Sequence, residues 1–246
     1  NTAKSYQGML TYLGAKLERP VELTQRQTYA EINDLVRAGA VDIAFVCGGA
    51  YVEGQRDFGM SLLVAPQVRG ETVYYSYLIV PADSAARSLA DLRGKTFAFS
   101  DPLSNSGRLA PQYRLLQMGE TPESFFARTI FTYSHDNSIR AVAEKLVDGA
   151  AVDSLVFEYT IAREPQYSRQ TRVIEKSSPY GIPPVVVHPS LDPKLKAQLR
   201  DLLLNMDKDE QGRAILSDLI IDRFVTVEER AYDSIREMAA ALRGWK

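Results

Sequence analysis

A strand, a short polar turn and a helix follow one another between residues 96 and 116. The apolar run at 96–99 predicts the strand, and the apolar spacing at 108–116 predicts the helix. Between them lies the sequence Ser-Asp-Pro-Leu-Ser-Asn-Ser-Gly, residues 100–107. A helix N-terminus presents N–H groups that lack partners inside the helix, and it carries a partial positive charge. This unit therefore favours an α/β fold with a turn that can hold an anion.

Three neighbouring polar residues make this turn rich in hydrogen-bond donors. Ser104 and Ser106 would supply hydroxyl donors and Asn105 an amide donor, while Gly107 would let the backbone approach closely. For the turn alone, a plain N-cap is the simpler interpretation, because Ser and Asn are preferred caps with or without a ligand. The choice between cap and anion site therefore depends on the rest of the chain.

Composition excludes several classes of protein. The 246 residues suffice for one large or two modest domains, and 45% hydrophobic with 24% charged residues is typical of a globular protein. A net charge of −2 provides no basic field for nucleic acid, so an anion site has to be local. The single cysteine, Cys47, excludes an internal disulfide, and two histidines argue against a histidine metal site. We expect neither a metal nor a cofactor.

The order of predicted elements indicates two α/β lobes. Two series of alternating strands and helices share a coarse duplication, residues 40–46 and 146–152, each after a helix and before a turn. We assign residues 1–81 with 183–246 to lobe 1 and residues 82–182 to lobe 2. The strands near 77–80 and 185–187 would cross between the lobes, and the C-terminal helices would pack mainly on lobe 1.

Two further predictions concern the first fifty residues. A short strand is expected at 21–24, and the nearly continuous apolar run at 41–46 predicts a buried parallel strand. The chain opens in a helical pattern with no signal peptide, so we expect that a strand and other residues precede it.

Motifs for catalysis are missing from the sequence. It contains no Gly-x-Ser-x-Gly elbow, no P-loop and no His-Glu-x-x-His. No pair of acidic residues is spaced to act as general acid and base. We therefore expect a binding protein rather than an enzyme, with no catalytic residues.

Six segments in a fixed order form a pattern that covers nearly the whole chain. They are 41–45 with Tyr51, 74–76, 101–107, 134–137, 147–154, and 223–225 with 232–236. In this order they resemble one family, the solute-binding proteins of phosphonate, phosphite and phosphate ABC transporters. The resemblance implies the type 2 periplasmic-binding-protein fold: two α/β lobes, a hinge of two crossing strands and a ligand clamped between the lobes.

The resemblance also implies a set of ligand-binding residues. The seat for the anion would be Ser104, Asn105 and Ser106, and His135 would add one directed donor, although a histidine there could simply cap the next helix. Two aromatic residues of lobe 1, Tyr51 and Tyr74, would supply phenol donors and aromatic walls.

Two other residues complete the implied site. Asp153 has two open interpretations: it caps the helix that begins at Ser154, or it faces the ligand and binds an ammonium or accepts a proton. Tyr180 is a candidate for a pocket wall or a hinge.

The sequence departs from the family pattern at two places. Many relatives have Ser-Thr-Ser where this chain has Ser-Asn-Ser around Asn105, which could alter ligand preference. The turn before Tyr51 is Cys-Gly-Gly-Ala rather than a form that contains proline, so the pocket wall there could differ.

The function implied is capture of a phosphorus oxyanion and its delivery to an ABC transporter permease in the inner membrane, without any nucleic acid. Such a protein would be periplasmic or lipid-anchored outside the cytoplasm. Two alternatives remain: an extracellular sensor domain for the same ligand class, and a small biosynthetic enzyme on the same fold. The enzyme would need a reactive group between the lobes, and the sequence offers none besides His135 and Asp153.

Overall fold

Two compact units make up the protein. The computed structural model describes residues 2–244. Each unit is built from three separate segments, because the chain passes between them repeatedly. Within the described residues, unit 1 holds 2–47, 51–72 and 182–231, and unit 2 holds 48–50, 73–181 and 232–244.

Helices of one to four turns surround the sheets. None of the described helices is both long and apolar enough to cross a lipid bilayer. In chain order the α-helices are α1 (Thr2–Leu17), α2 (Tyr29–Arg37), α3 (Gly48–Phe58), α4 (Ala110–Gln117), α5 (Pro122–Phe125), α6 (His135–Ala143), α7 (Ser154–Arg163), α8 (Gln166–Gln170), α9 (Pro193–Leu204), α10 (Glu210–Asp218) and α11 (Asp233–Gly244).

The strands are short, and each belongs to a sheet within one unit. They are β1 (Ala44–Phe45), β2 (Ser61–Gln67), β3 (Val73–Tyr74), β4 (Ser76–Pro81), β5 (Thr96–Phe99), β6 (Arg128–Phe131), β7 (Gly149–Asp153), β8 (Thr171–Lys176), β9 (Tyr180–Gly181), β10 (Val185–Val187) and β11 (Arg223–Val225).

The sheet of unit 1 is antiparallel throughout, with the order β1-β10-β2-β11. Its apolar side chains form one core with α1, α9 and α10, in which Met9, Leu63, Leu203 and Leu216 are almost fully buried. The prediction of a parallel strand at 41–46 is wrong.

That strand is only the two residues of β1, and it runs antiparallel to β10. The ladder is short because β10 spans three residues and lies between Pro184 and Pro189, which have no N–H to donate. The strand expected at 21–24 does not form either; these residues extend along the surface, with Leu23 exposed.

The main sheet of unit 2 is mixed, with the order β6-β5-β7-β4-β8. Strand β5 is parallel to both β6 and β7, so the carboxyl ends of these three strands meet at one edge. Ligands of open α/β sheets bind at such edges. One face of the sheet packs on α4 and α5 and the other on α6 and α7, which gives two apolar cores.

Two segments expected in lobe 1 belong to unit 2. Residues 73–81 lie there because β4 pairs along both of its edges, with β7 and with β8. The C-terminal helix α11 lies there because it packs against α4 and buries Ile235 and Met238. Two of the passages between the units lie at 72–73 and 181–182, beside the small β3–β9 ladder, so the first precedes the strand at 77–80 that was expected to cross.

Candidate functional site

The polar turn after β5 opens a continuous helix. Residues Asn105–Leu109 form one π-helical turn that runs directly into α4. The wider turn is closed by hydrogen bonds from Leu109 N to Ser104 O (3.0 Å) and from Ala110 N to Asn105 O. Ser104, Asn105 and Ser106 are fully buried. The predicted seat is thus the N-terminal turn of a helix that extends to Gln117, and π-helical turns often occur at functional sites.

The three polar side chains of this turn differ in their hydrogen bonds. The Ser104 hydroxyl caps the turn by accepting from Gly107 N (3.0 Å), which leaves its own proton free to be donated. The Asn105 amide donates from Nδ2 to the Tyr74 hydroxyl (2.9 Å). The Ser106 hydroxyl, in contrast, has no hydrogen-bond partner among the described residues. A buried hydroxyl without a partner is costly, and a ligand oxygen would remove that cost.

Two serines that the sequence analysis did not select hold the turn in place. Ser76 Oγ donates to Ser106 O (2.7 Å), and Ser100 N donates to Gly107 O (3.2 Å). Both are buried. The alternation of side chains along β4 could have identified Ser76, because it lies on the same face of the strand as Leu78, which packs against α4.

Close backbone approach explains two glycines around the turn. A Cβ at Gly107 would lie 2.1 Å from Ser100 Oγ, and a Cβ at Gly49 would lie 2.3 Å from Leu103 O and 3.0 Å from Asn105 N. Gly49 belongs to the first turn of α3, so the double glycine before Tyr51 begins a helix rather than forming a loop. Its lack of a side chain lets that helix contact the backbone of the turn.

His135 is the first residue of α6, and its ring is buried. The cap of this helix is Ser134, whose hydroxyl accepts from Asn137 N, so His135 is not the cap. Its Nδ1 accepts from Asp153 N (3.1 Å) and lies 2.9 Å from Ser100 Oγ. Burial lowers the pKa of His135 to about 4, because it disfavours the imidazolium. The ring is neutral at pH 7.

Asp153 is both a cap and a neighbour of His135. Its Oδ1 accepts from Leu155 N (2.7 Å) and Val156 N (3.2 Å) at the start of α7, while its own N–H bonds the His135 ring. Burial raises the pKa of Asp153 to about 7, although both backbone bonds act in the opposite direction. Asp153 is thus the N-cap of α7, and its contact with a ligand stays a prediction.

The two predicted tyrosines lie in different units. Tyr74 belongs to unit 2, where its fully buried ring packs at 6.2 Å from the ring of Tyr180. Tyr51 belongs to unit 1, where its hydroxyl accepts from Gln55 Nε2 (3.2 Å). Within unit 2, Ser100 links His135 to the polar turn, because its Oγ lies 2.9 Å from His135 Nδ1 and its N–H donates to Gly107 O.

Comparison with known proteins agrees with these features. Residues 1–232 match the family described as "ABC transporter, phosphonate, periplasmic substrate-binding protein". The phosphonates-binding periplasmic protein of Escherichia coli is 30% identical over 216 residues, which cover 86% of this chain and 64% of that protein. The chain thus spans less than two thirds of that relative.

Solved structures show the same fold. The binding protein component of an ABC phosphonate transporter from Pseudomonas aeruginosa is 27% identical and superposes with a TM-score of 0.92, covering 99% of this chain and 82% of that one. PhnD1 of Prochlorococcus marinus, in complex with methylphosphonate, is 22% identical with a TM-score of 0.88, covering 98% and 93%. The fold is that of the periplasmic binding proteins, and the chain belongs to the family of phosphonate-binding periplasmic proteins of ABC transporters.

Proposed function

We propose that this chain captures a phosphorus oxyanion, such as a phosphonate or phosphite, and delivers it to the permease of an ABC transporter. The anion seat is the turn formed by Ser104, Asn105 and Ser106, with His135 as an additional donor. The protein works outside the cytoplasm, free in the periplasm or held by a lipid anchor. Proteins of this family bind solutes for transport and are not enzymes.

The observation that carries this proposal is the Ser106 hydroxyl. It is fully buried and, within the described chain, lacks a hydrogen-bond partner. It lies on the first turn of a helix, where backbone N–H groups and the helix dipole favour an anion. An oxyanion oxygen at this point would accept from Ser106 and from those N–H groups.

The chemistry of the seat suits an anion held by dipoles. Ser104, Ser106 and neutral His135 each offer a proton to donate, and none of them carries a positive charge at pH 7. Hydrogen bonds to a charged acceptor contribute about 1.5–3 kcal/mol each. Several such donors in a buried turn can hold a phosphonate tightly without a lysine or an arginine. Tyr51, Tyr74 and Asp153 remain predicted ligand residues.

Thermal unfolding with a panel of anions tests the proposal. Methylphosphonate, phosphite, phosphate and sulfate are each added at increasing concentration. A ligand at 100 times its Kd stabilises a protein by about 2.7 kcal/mol, which raises the Tm of a chain of this size by roughly 5–10 °C. We expect this rise with at least one phosphorus oxyanion and not with sulfate. A panel in which only sulfate stabilises, or in which no anion does, contradicts the proposal.

Delivery to a permease requires a separate test. Cells that possess a phosphonate permease but lack its binding protein are given this chain with an export signal. Uptake of labelled methylphosphonate should return with the wild-type chain and not with Ser106→Ala. Binding without restored uptake would limit the function to capture.

A further inference from the structure

We infer that Ser100 is a positioning residue that, together with the backbone N–H of Asp153, holds His135 as a neutral ring with its proton on Nε2. The ring then has a hydrogen-bond donor, and only a donor, at its other nitrogen. The part of this inference that concerns ligand binding rests on the proposed function; the part that concerns the ring does not.

The hydrogen bonds at Nδ1 determine the tautomer. A backbone N–H can only donate, and Asp153 N lies 3.1 Å from His135 Nδ1, so Nδ1 is an acceptor and carries no proton. A neutral ring must then carry its proton on Nε2. Ser100 Oγ lies 2.9 Å from the same Nδ1 and can only donate to it, and this contact is shorter than the alternative bond from Ser100 Oγ to Ala151 O (3.5 Å). Two donors on one nitrogen oppose both the other tautomer and the imidazolium.

Ser100 follows β5 directly, and this position explains why it reaches the ring. Side chains alternate along a strand, and Ala98 faces the core that contains α6, so Ser100 faces α6 as well. Its hydroxyl is fully buried and lies between the His135 ring and Gly107, where any Cβ would come within 2.1 Å of it. The backbone N–H of Ser100 binds Gly107 O (3.2 Å). One residue therefore fixes the ring and residues 104–107, the donor turn, relative to each other.

This arrangement has a consequence for the ligand. An Nε2–H donor adds a directed hydrogen bond to the seat without adding a charge, and it needs no protonation step when the anion binds. A ring free to exchange tautomers would spend part of its time with an acceptor nitrogen on that side. An acceptor there would repel an oxyanion, so loss of the constraint should weaken binding.

The test compares variants of one buried hydroxyl with a matched control. Ser100→Ala removes the donor, and Ser100→Cys keeps the size and a weak donor. The control is Ser138→Ala, which removes another fully buried serine hydroxyl in α6, one that bonds Thr132 Oγ1 (2.7 Å) and not His135. Ring nitrogens are followed by NMR with nitrogen-labelled histidine at neutral pH, and His188→Gln assigns the signals because the chain has only two histidines.

We expect the wild-type spectrum to show an unprotonated Nδ1 and a protonated Nε2 for His135. In Ser100→Ala only the Asp153 N–H still opposes a proton on Nδ1, so the two ring signals should move part of the way towards an average of tautomers. The affinity for methylphosphonate should fall about 3–10-fold, the effect of one neutral hydrogen bond. Ser138→Ala should keep both signals and bind within about twofold of wild type. Ser100→Cys should give ring signals and an affinity between those of wild type and Ser100→Ala. It replaces Ser100→Ala in the test if that variant does not fold.

Two results would overturn the inference: a protonated Nδ1 in the wild-type protein, or a Ser100→Ala spectrum identical to wild type. The spectra are recorded without ligand, so they test the ring even if no phosphonate binds. Conversely, tight methylphosphonate binding together with an unchanged Ser100→Ala affinity would refute the positioning role and leave the proposed function intact.

Discussion

At the level of single residues, Ser104 and Ser106 differ in the hydrogen bonds that their hydroxyl groups form. The Ser104 hydroxyl accepts from Gly107 N and so stabilises the turn itself. The Ser106 hydroxyl has no hydrogen-bond partner within the described part of the chain, so it adds no hydrogen bond that stabilises the turn. Since both are buried in the same turn, variants of the two serines can separate a structural role from the ligand-binding role that we propose.

Replacement of each serine by alanine should therefore give different results. Ser106→Ala should weaken methylphosphonate binding by about 10–100-fold, the effect of a hydrogen bond to a charged group. Its free energy of unfolding without ligand should be unchanged or up to about 1 kcal/mol higher, because a hydroxyl without a partner is removed. Ser104→Ala should lose about 1 kcal/mol of stability through the cap, whatever its effect on affinity.

Calorimetric titration measures the affinities, and urea unfolding of the ligand-free protein measures the stabilities. Wild-type affinity in Ser106→Ala, with a loss of stability like that of Ser104→Ala, would mean that both hydroxyls serve only the turn.

His135 and Asp153 titrate in opposite senses, although a hydrogen bond joins them. The pKa of His135 falls from 6.5 to about 4, so below pH 6.5 the unfolded chain binds a proton that the folded chain excludes, and stability decreases as the pH falls. The pKa of Asp153 rises from 3.8 to about 7, so in that range the folded chain holds a proton that the unfolded chain loses, and stability decreases as the pH rises. Between about pH 4 and 6.5 the two effects oppose each other.

Asp153→Asn should remove the contribution of Asp153 to the pH dependence of stability and leave that of His135. Asparagine keeps the cap of α7 but does not titrate. The stability of the variant relative to wild type should increase with pH by about 1.4 kcal/mol per unit between about pH 4 and 7. Urea unfolding of both proteins across this range measures the difference, and the other acidic residues cancel in it. A difference independent of pH would show that Asp153 is ionised in the folded protein throughout.

At the scale of elements, the first turn of α3 and the donor turn depend on each other. Gly49 brings the α3 backbone against Leu103 O and Asn105 N, and Ser76 of β4 bonds the carbonyl of Ser106. The shape of the donor turn is therefore imposed by neighbouring elements as well as by its own sequence.

Gly49→Ala tests this contact. Its new methyl group would lie 2.3 Å from a backbone oxygen that has little freedom to move, so we expect a loss of roughly 1–3 kcal/mol of stability from overpacking. Methylphosphonate affinity should fall as well, because the turn has to shift. The control is Gly8→Ala in α1, where the nearest atom, Cγ1 of Ile215, lies at an ordinary 3.4 Å.

The control should be neutral or more stable than wild type by up to about 1 kcal/mol, since alanine favours a helix interior. Urea unfolding and calorimetric titration measure both variants. If Gly49→Ala behaves like Gly8→Ala, the close approach of α3 does not shape the turn.

At the scale of the whole molecule, each unit is assembled from distant parts of the chain. The last described helix, α11, joins unit 2 by packing against α4, with Ile235 fully buried. Leu216 in α10 plays the corresponding part in the core of unit 1. The stability of each unit thus depends on residues near the end of the chain.

Ile235→Ala and Leu216→Ala form a matched pair. Each removes a buried aliphatic side chain, and each should cost about 2–5 kcal/mol. Hydrogen exchange should distinguish them: Ile235→Ala should increase exchange in α4, and Leu216→Ala should increase it in α1 and in the sheet of unit 1. Increased exchange in unit 1 after Ile235→Ala would contradict the assignment of α11 to unit 2.

Local sequence patterns were enough to predict the types of most elements, the family and the position of the donor turn. Helix α1, the strand at 96–99 and the helix that follows it were predicted from local periodicity, which adjacent residues encode. The resemblance of six ordered segments led to the family, and the comparisons confirm it.

The pairing of strands, the segments that share a unit and the partners of each buried polar group became known from the folded structure alone. The apolar run at 41–46 carries no information about β10, so its antiparallel pairing could not be read from it. Likewise, the sequence does not distinguish the role of Ser104 from that of Ser106. Ser76 and Ser100 differ from other buried serines because they bond to residues far away in the sequence. The reason is physical: periodicity is set by neighbours along the chain, whereas strand pairing and hydrogen-bond partners are set by residues that folding brings together.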